Sequence, residues 1–131
     1  MKFMLVLWGD EGHWADMTEE EGAAEMAAWE DYSAQLVAAG AMVSGEGLQP
    51  SATSKTLRFE NGERVVTDGP YAETKEQLGG FYVIECASMD EALEWAAKAP
   101  SAARGSTEVR PVMLYEDMSA DDAERAAEAR P

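Results

Sequence analysis

Two stretches of this chain are almost continuously apolar instead of apolar at every second position. Residues 3–8 read FMLVLW, and residues 81–87 read FYVIECA. Continuous apolar runs of this length are typical of strands that are buried on both faces. The pattern therefore predicts two core strands, and something must cover each of their faces.

Two other segments have helical spacing behind a capping pair. Thr18 with Glu21, and Ser88 with Glu91, have the spacing of capping boxes. The apolar residues that follow at helical intervals are Met26, Trp29, Tyr32, Leu36 and Val37 in the first segment and Met89, Ala92, Leu93, Ala96 and Ala97 in the second. A glycine at position 40 and a proline at position 100 then stop the helices. Residues 9–17 before the first helix are expected to form a loop.

The remaining pattern predicts a hairpin and two more strands. Residues 41–49 favour a strand broken or bulged at its glycines, and Asn61-Gly62 joins two alternating runs with a type I′ turn signal. Residues 70–80 are polar and end in glycines, which predicts a loop or a single turn. Residues 108–115 predict the last strand, and the proline inside it favours a sheet edge or a bulge.

The order strand-helix-strand, hairpin, strand-helix-strand predicts a ferredoxin-like α+β domain over residues 1–115. Because the handedness rule places both helices on one face of the sheet, the other apolar face needs a partner. We therefore predict a homodimer packed sheet to sheet. Residues 116–131 are acidic and rich in alanine, and they predict a short C-terminal helix outside the domain.

The net charge limits the classes of binding partner, and the single cysteine indicates the cellular compartment. The formal charge of the 131 residues is −16, which argues against nucleic acid and anionic membrane partners. Residues 10–31 hold nine acidic residues and no lysine or arginine, which indicates either a solvated helix face or a cation site. A lone Cys86 fits a reducing, cytoplasmic compartment, and the apolar run at residues 3–8 is too short for a signal peptide or a membrane span.

The candidate chemistry lies in the polar loop between two strands. Asp68 could act as an acid or base, or could cap the Asp-Gly-Pro turn through backbone N–H groups. Tyr71 could donate a hydrogen bond to a ligand or serve as a core aromatic. Glu73 and Lys75 could clamp a ligand, or form a surface network with each other or with Arg110.

Two further features give weaker signals for a cofactor or a metal. The segment GEGLQP lacks the third glycine and the helix of a dinucleotide loop, so no nucleotide cofactor is predicted. A metal at His13 would have to recruit Asp10, Glu11 or Asp16, and an ordinary exposed histidine is the favoured alternative, so no metal site is predicted.

The run VTDGPYAETKEQLGGFYVIE, residues 66–85, resembles the signature of the DGPF branch of the YCII-related family. The resemblance extends through MKFMLVLWGDE, GAMVSGEGLQP and EVRPVM to cover residues 1–114. It implies a ferredoxin-like domain of the dimeric α/β-barrel type, with a cleft lined by the Asp-Gly-Pro loop and by residues near the first helix. The chain departs from the family in having Tyr71 in place of a phenylalanine. It also has Trp29 where the wider family often carries a histidine with a proposed catalytic role, and Trp29 becomes a predicted ligand contact.

Three functional hypotheses follow from the residues and the resemblance. The first is an enzyme in which Asp68, with Tyr71 or Lys75, transfers a proton to or from a small substrate, for example an aromatic one. The resemblance supports it, because some relatives resemble enzymes that act on chlorinated aromatic rings. The second is a ligand-sensing or protein-interaction module that associates with an extracytoplasmic-function sigma factor. The third is a simple carrier of a small ligand.

Overall fold

The computed structural model describes residues 1–115, 124–125 and 127–129. Its strands are β1 Lys2–Gly9, β2 Met42–Gly47, β3 Lys55–Glu60, β4 Glu63–Asp68, β5 Gln77–Glu85 and β6 Ser106–Pro111. Its helices are α1 Glu11–Ala15, α2 Glu19–Ala38 and α3 Met89–Ala97, and a 3-10 turn spans Ser51–Thr53. Most of the predicted C-terminal helix lies outside the described residues and stays a prediction.

Four strands form one antiparallel sheet in the order β2-β5-β1-β6. The two strand-helix-strand units interleave in this sheet, which is the ferredoxin-like arrangement that the pattern predicts. The hairpin of β3 and β4 is a separate two-stranded sheet inserted between β2 and β5. Its turn residues Asn61 and Gly62 both have positive φ, as a type I′ turn requires.

The core lies between the sheet and the two long helices. Phe3 and Leu5 of β1 and Ile84 of β5 are fully buried, and they form one cluster with Tyr32 and Leu36 of α2. Alternation along a strand sends the neighbouring side chains to the opposite face. Helix α3 reaches the same cluster through alanines at positions 92 and 96, whose small side chains allow a close approach.

The opposite face of the sheet carries apolar side chains that are only partly buried. Met4 and Val6 of β1, and Phe81 and Val83 of β5, occupy the alternate positions to the core residues. Residues 3–8 and 81–84 therefore present apolar side chains on both faces of the sheet, and the helices cover one of these faces.

Several details differ from the sequence-based expectations. Residues 11–15 form helix α1 instead of a loop, because the Asp10 side chain accepts a hydrogen bond from the Gly12 N–H at 2.8 Å and caps the helix. Strand β5 begins at Gln77, four residues before the apolar run. Glycine permits this extension, since a Cβ at Gly80 would lie 2.7 Å from the carbonyl oxygen of Glu46 on β2.

The last strand is shorter than the pattern predicts. It ends at Pro111 instead of reaching residue 115, and it lies at the edge of the sheet, where a missing N–H costs no ladder bond. The predicted edge position is therefore confirmed.

Candidate functional site

A cavity of about 1040 Å³ lies between α2, α1 and the sheet. The residues that shape it come from four parts of the chain. They are His13 and Trp14 of α1, Trp29 and Ser33 of α2, Met42 and Tyr82 of the sheet, and Arg104 of the loop after α3. The chain therefore forms a partly open cavity with a volume near the upper end of the range that small-molecule sites have.

Aromatic rings form one wall of this cavity. The rings of Trp29 and Tyr82 lie nearly parallel, with an interplanar angle of 16° and centroids 6.2 Å apart. Tyr32 meets both rings edge-on from beneath, at 6.0 and 5.4 Å. Residues three apart on a helix share a face, so the spacing of positions 29 and 32 places both rings against the sheet. Trp29 and Tyr82 both line the cavity, so this stacked pair presents aromatic ring surface to a ligand there.

The hydroxyls of two packed tyrosines have different partners, and only Tyr82 lines the cavity. The Tyr82 hydroxyl shares a 2.8 Å hydrogen bond with Ser33 Oγ at the cavity, and the Tyr32 hydroxyl donates to the Trp95 carbonyl at 2.7 Å. Burial raises the pKa of Tyr32 above its ordinary value, and the neighbouring Tyr82 raises it further. Tyr32 therefore stays protonated and joins α2 to α3.

Arg104 brings a positive charge to the cavity. Its Nη2 pairs with Glu25 Oε1, its Nη1 donates to the Pro100 carbonyl at 3.1 Å, and Trp29 Nε1 donates to the same Glu25 oxygen at 3.2 Å. The loop packs tightly on the sheet at Gly105, where a Cβ would overlap the carbonyl oxygen of Trp8. The aromatic wall and the arginine are thus linked through one carboxylate.

Helix α1 is held over the cavity by hydrogen bonds from Glu11. Its two carboxylate oxygens accept from the backbone N–H and the hydroxyl of Ser51, at 2.6 and 2.8 Å. The Glu11 N–H donates to Gln77 Oε1 at 3.0 Å. These contacts place His13 and Trp14 at the rim of the cavity.

The structure brings only one of the predicted site residues to the cavity. Trp29 is part of its wall, while Asp68, Tyr71, Glu73 and Lys75 are exposed and do not line it. Asp68 ends β4, with 85% of its side chain exposed and Oδ1 2.5 Å from Lys55 Nζ. Their predicted roles in catalysis or ligand binding therefore stay predictions.

The structural roles that the sequence left open for this loop also differ from expectation, because the side chains concerned have other partners. In the part of the chain that the structure describes, Asp68 accepts from the Lys55 side chain and from no backbone N–H. Tyr71 is 80% exposed, with the Arg58 guanidinium 5.4 Å from its ring centroid. Arg110 pairs with Glu108 on its own strand and not with the loop.

Sequence reasoning missed Arg104, Glu25 and the cavity position of His13. The one available signal was the Arg-Gly pair before the last strand, which stands in an otherwise small and polar loop. Glu25 could not be singled out, since nothing in the sequence distinguishes it from the other acidic residues at positions 10–31.

Within residues 1–115, 124–125 and 127–129, no three His, Cys, Asp or Glu side chains are grouped closely enough to hold a metal. No helix among these residues combines the length and the apolar character that crossing a membrane requires.

The fold and the cavity together define a ferredoxin-like α+β domain with a partly open cavity of small-molecule size. The chain belongs to the YCII-related domain family, whose model matches residues 1–116. It is 41% identical over 117 residues to the uncharacterised protein R00369 of Rhizobium meliloti strain 1021, a match that covers 88% of this chain and 94% of that protein.

A solved structure supports the fold assignment. The chain is similar to 5-chloro-2-hydroxyhydroquinone dehydrochlorinase (TftG) of Burkholderia phenoliruptrix AC1100, determined in complex with 2,5-dihydroxybenzoquinone. The TM-score is 0.51 at 20% identity, and the match covers 86% of this chain and 94% of that one. At this identity the likeness shows a shared fold.

Proposed function

We propose that this chain binds a small planar ring compound with oxygen substituents in the cavity between α2 and the sheet. The observation that carries the proposal is the stacked pair of rings, Trp29 and Tyr82, that lines a space of about 1040 Å³. Ring stacking contributes about 0.5–1.5 kcal/mol beyond the burial of apolar area. The structural neighbour of the same fold, solved with a dihydroxybenzoquinone, supports this ligand class.

Calorimetric titration with 2,5-dihydroxybenzoquinone tests the proposal. We expect saturable binding by the wild type and a weakening of roughly three- to tenfold in Trp29→Leu, because a stacking surface is lost. Trp95→Leu is the matched control, since Trp95 also meets Tyr32 edge-on but does not line the cavity. Absence of saturable binding by the wild type to any of a panel of hydroxylated rings and quinones would refute the proposal.

We further propose that the chain is an enzyme and that the His13 imidazole transfers a proton to or from the bound ring. His13 is the one histidine of the sequence and lines the cavity, and imidazole is the side chain best suited to proton transfer near neutral pH. His13→Gln should keep ring binding and abolish turnover. If turnover survives in His13→Gln and is lost in Asp68→Asn, the acid–base role passes to Asp68, as the sequence-based hypothesis predicts.

The alternative of a ligand-sensing module linked to an extracytoplasmic-function sigma factor makes a different prediction. It expects ring binding without any chemical change in the ring. Product analysis by mass spectrometry with the same compounds separates the two, because an enzyme must release an altered ring.

We also propose a homodimer that packs through the open sheet face. The four apolar side chains of that face, at positions 4, 6, 81 and 83, are partly exposed in the single chain. Covering them would remove apolar area from water at about 25 cal/mol per Å². Light scattering should give twice the mass of 14.2 kDa, and Val6→Glu should give the monomer. A wild type that stays monomeric at micromolar concentration would contradict this proposal.

A further inference from the structure

We infer that Arg104 is a specificity-determining residue of this cavity, which binds an oxyanion substituent of the ring and favours the ring in its deprotonated form. The inference rests on the proposed ring binding and specifies the charge of the ligand. It concerns a residue outside the loop to which the sequence assigns the chemistry.

Arg104 is placed rigidly before any ligand arrives. Its backbone N–H and that of Gly105 both donate to the Ser101 carbonyl, at 3.1 and 2.9 Å, and its guanidinium donates to the Pro100 carbonyl. The turn thus fixes both the backbone and the side chain. A donor that needs no reordering loses little entropy when it binds a ligand.

The guanidinium still has donors to offer. Its contacts to Pro100 and Glu25 use one bond from each terminal nitrogen, and arginine carries more N–H groups than these. The side chain is 32% exposed, whereas the Glu25 side chain is only 13% exposed. Arg104 lines the cavity and Glu25 does not, so the guanidinium is the member of the pair that a ligand in the cavity can reach.

The Glu25 carboxylate has a second partner besides Arg104. Its Oε1 accepts from Trp29 Nε1 as well as from Arg104. Among the described residues that line the cavity, Arg104 is the one lysine or arginine, while Asp10, Glu11 and Glu46 are acidic. A charge-assisted contact to an oxyanion is roughly twice as strong as a neutral hydrogen bond.

Among the lysines and arginines that the structure describes, Arg104 is the one that lines the cavity and can offer an anionic ring this contact. Elsewhere the chain, with a formal charge of −16, repels it, and salt at about 0.1 M screens that repulsion beyond roughly 10 Å. Because the arginine favours the ionised ring over the neutral one, binding should shift the ring's ionisation equilibrium, with the phenol proton leaving to solvent. This shift is a signature that a purely structural arginine would not produce.

The test uses 4-nitrophenol, whose ionised form absorbs in the visible range. Bound to the wild type, the probe should ionise at a lower pH than in buffer. In Arg104→Met we expect the affinity for the ionised probe to fall roughly ten- to hundredfold, with a much smaller change for the neutral probe.

Glu25→Gln supplies the decisive comparison. Both substitutions break the same ion pair, so a structural role predicts weaker binding in both variants. Our inference predicts opposite signs, since losing the carboxylate strengthens the field of Arg104 and should raise the affinity for the ionised probe a few-fold.

Arg58→Met is the matched control, because Arg58 lies on the hairpin and contacts Tyr71 outside the cavity. It should bind like the wild type. Should Arg104→Met fail to fold, Arg104→Lys keeps the charge without the planar fork and should bind the ionised probe with intermediate affinity.

The outcomes separate this inference from the proposed function. If the wild type binds no phenol or quinone in either form, both fail. If the wild type binds the probe and Arg104→Met binds it equally well, or if Arg104→Met and Glu25→Gln weaken both forms alike, the inference is overturned while ring binding stands.

Discussion

Replacing Tyr32 by phenylalanine should change the stability of the protein in a pH-dependent way. Tyr32 is 2% exposed and its hydroxyl donates to the Trp95 carbonyl. That carbonyl also accepts from the Lys98 N–H at 3.1 Å, so the substitution leaves it with one partner. The net loss at neutral pH should therefore be that of one hydrogen bond, about 1 kcal/mol.

The difference in unfolding free energy between the wild type and Tyr32→Phe should change sign at high pH. Burial raises the pKa of Tyr32 in the folded state, so the unfolded phenol loses its proton first, near its ordinary value of about 10. The wild type then loses stability as pH rises, because the unfolded state has become the weaker proton binder. Between pH 9 and 11 this loss amounts to about 1.4 kcal/mol for one group.

The two effects predict a crossing of the stability curves. Wild type should exceed Tyr32→Phe by about 1 kcal/mol at pH 7 and fall level with it, or below it, by about pH 11. Urea unfolding followed by circular dichroism at pH 7, 9 and 11 measures the difference, at one protein concentration so that any dimer contributes equally.

Tyr71→Phe is the control for this comparison. Tyr71 is 80% exposed, so Tyr71→Phe should have the same unfolding free energy as the wild type at each of the three pH values. A difference between wild type and Tyr32→Phe that stays constant from pH 7 to 11 would refute the reasoning.

Four shorter predictions follow. Gly80→Ala should destabilise by about 1–3 kcal/mol through its contact with the β2 backbone, while Gly79→Ala, whose Cβ would meet the nearest atom at 3.8 Å, should behave as wild type in the same melting experiment. Asp68→Asn should change the unfolding free energy by less than about 1 kcal/mol, because its pair with Lys55 is exposed on both sides; a larger loss would indicate a structural role. Burial raises the pKa of the Cys86 thiol, so iodoacetamide should alkylate it more slowly at pH 8 than free cysteine, and an equal rate would contradict this. DNA and RNA should give flat anisotropy titrations at about 0.1 M salt, and sub-micromolar binding would show a basic surface that the net charge conceals.

The main elements of the fold were predictable because they depend on local patterns. The capping residues at 18 and 88 do accept the backbone N–H of Glu21 and Glu91, and the turn at 61–62 has the backbone that Asn-Gly favours. The unpredicted helix α1 depends on Asp10, whose capping role in a five-residue helix has no periodicity to reveal it.

The position of the hairpin was not predictable from its own sequence. Alternation shows that residues 55–68 form two paired strands, yet the same alternation would suit a strand of the main sheet. Because the hairpin stands apart, the loop that follows it lies away from the cavity, and Asp68 and Tyr71 are exposed.

By itself the sequence determined the ferredoxin-like order of elements and the aromatic character of α2, since each depends on residues within one turn or one strand of each other. Only the tertiary structure decided which polar groups meet the cavity. Arg104 and Glu25 are 79 positions apart, and Ser33 and Tyr82 are 49 apart, so no local spacing connects them. Strand order and helix packing bring them together, and the chemistry of the cavity follows from those long-range contacts.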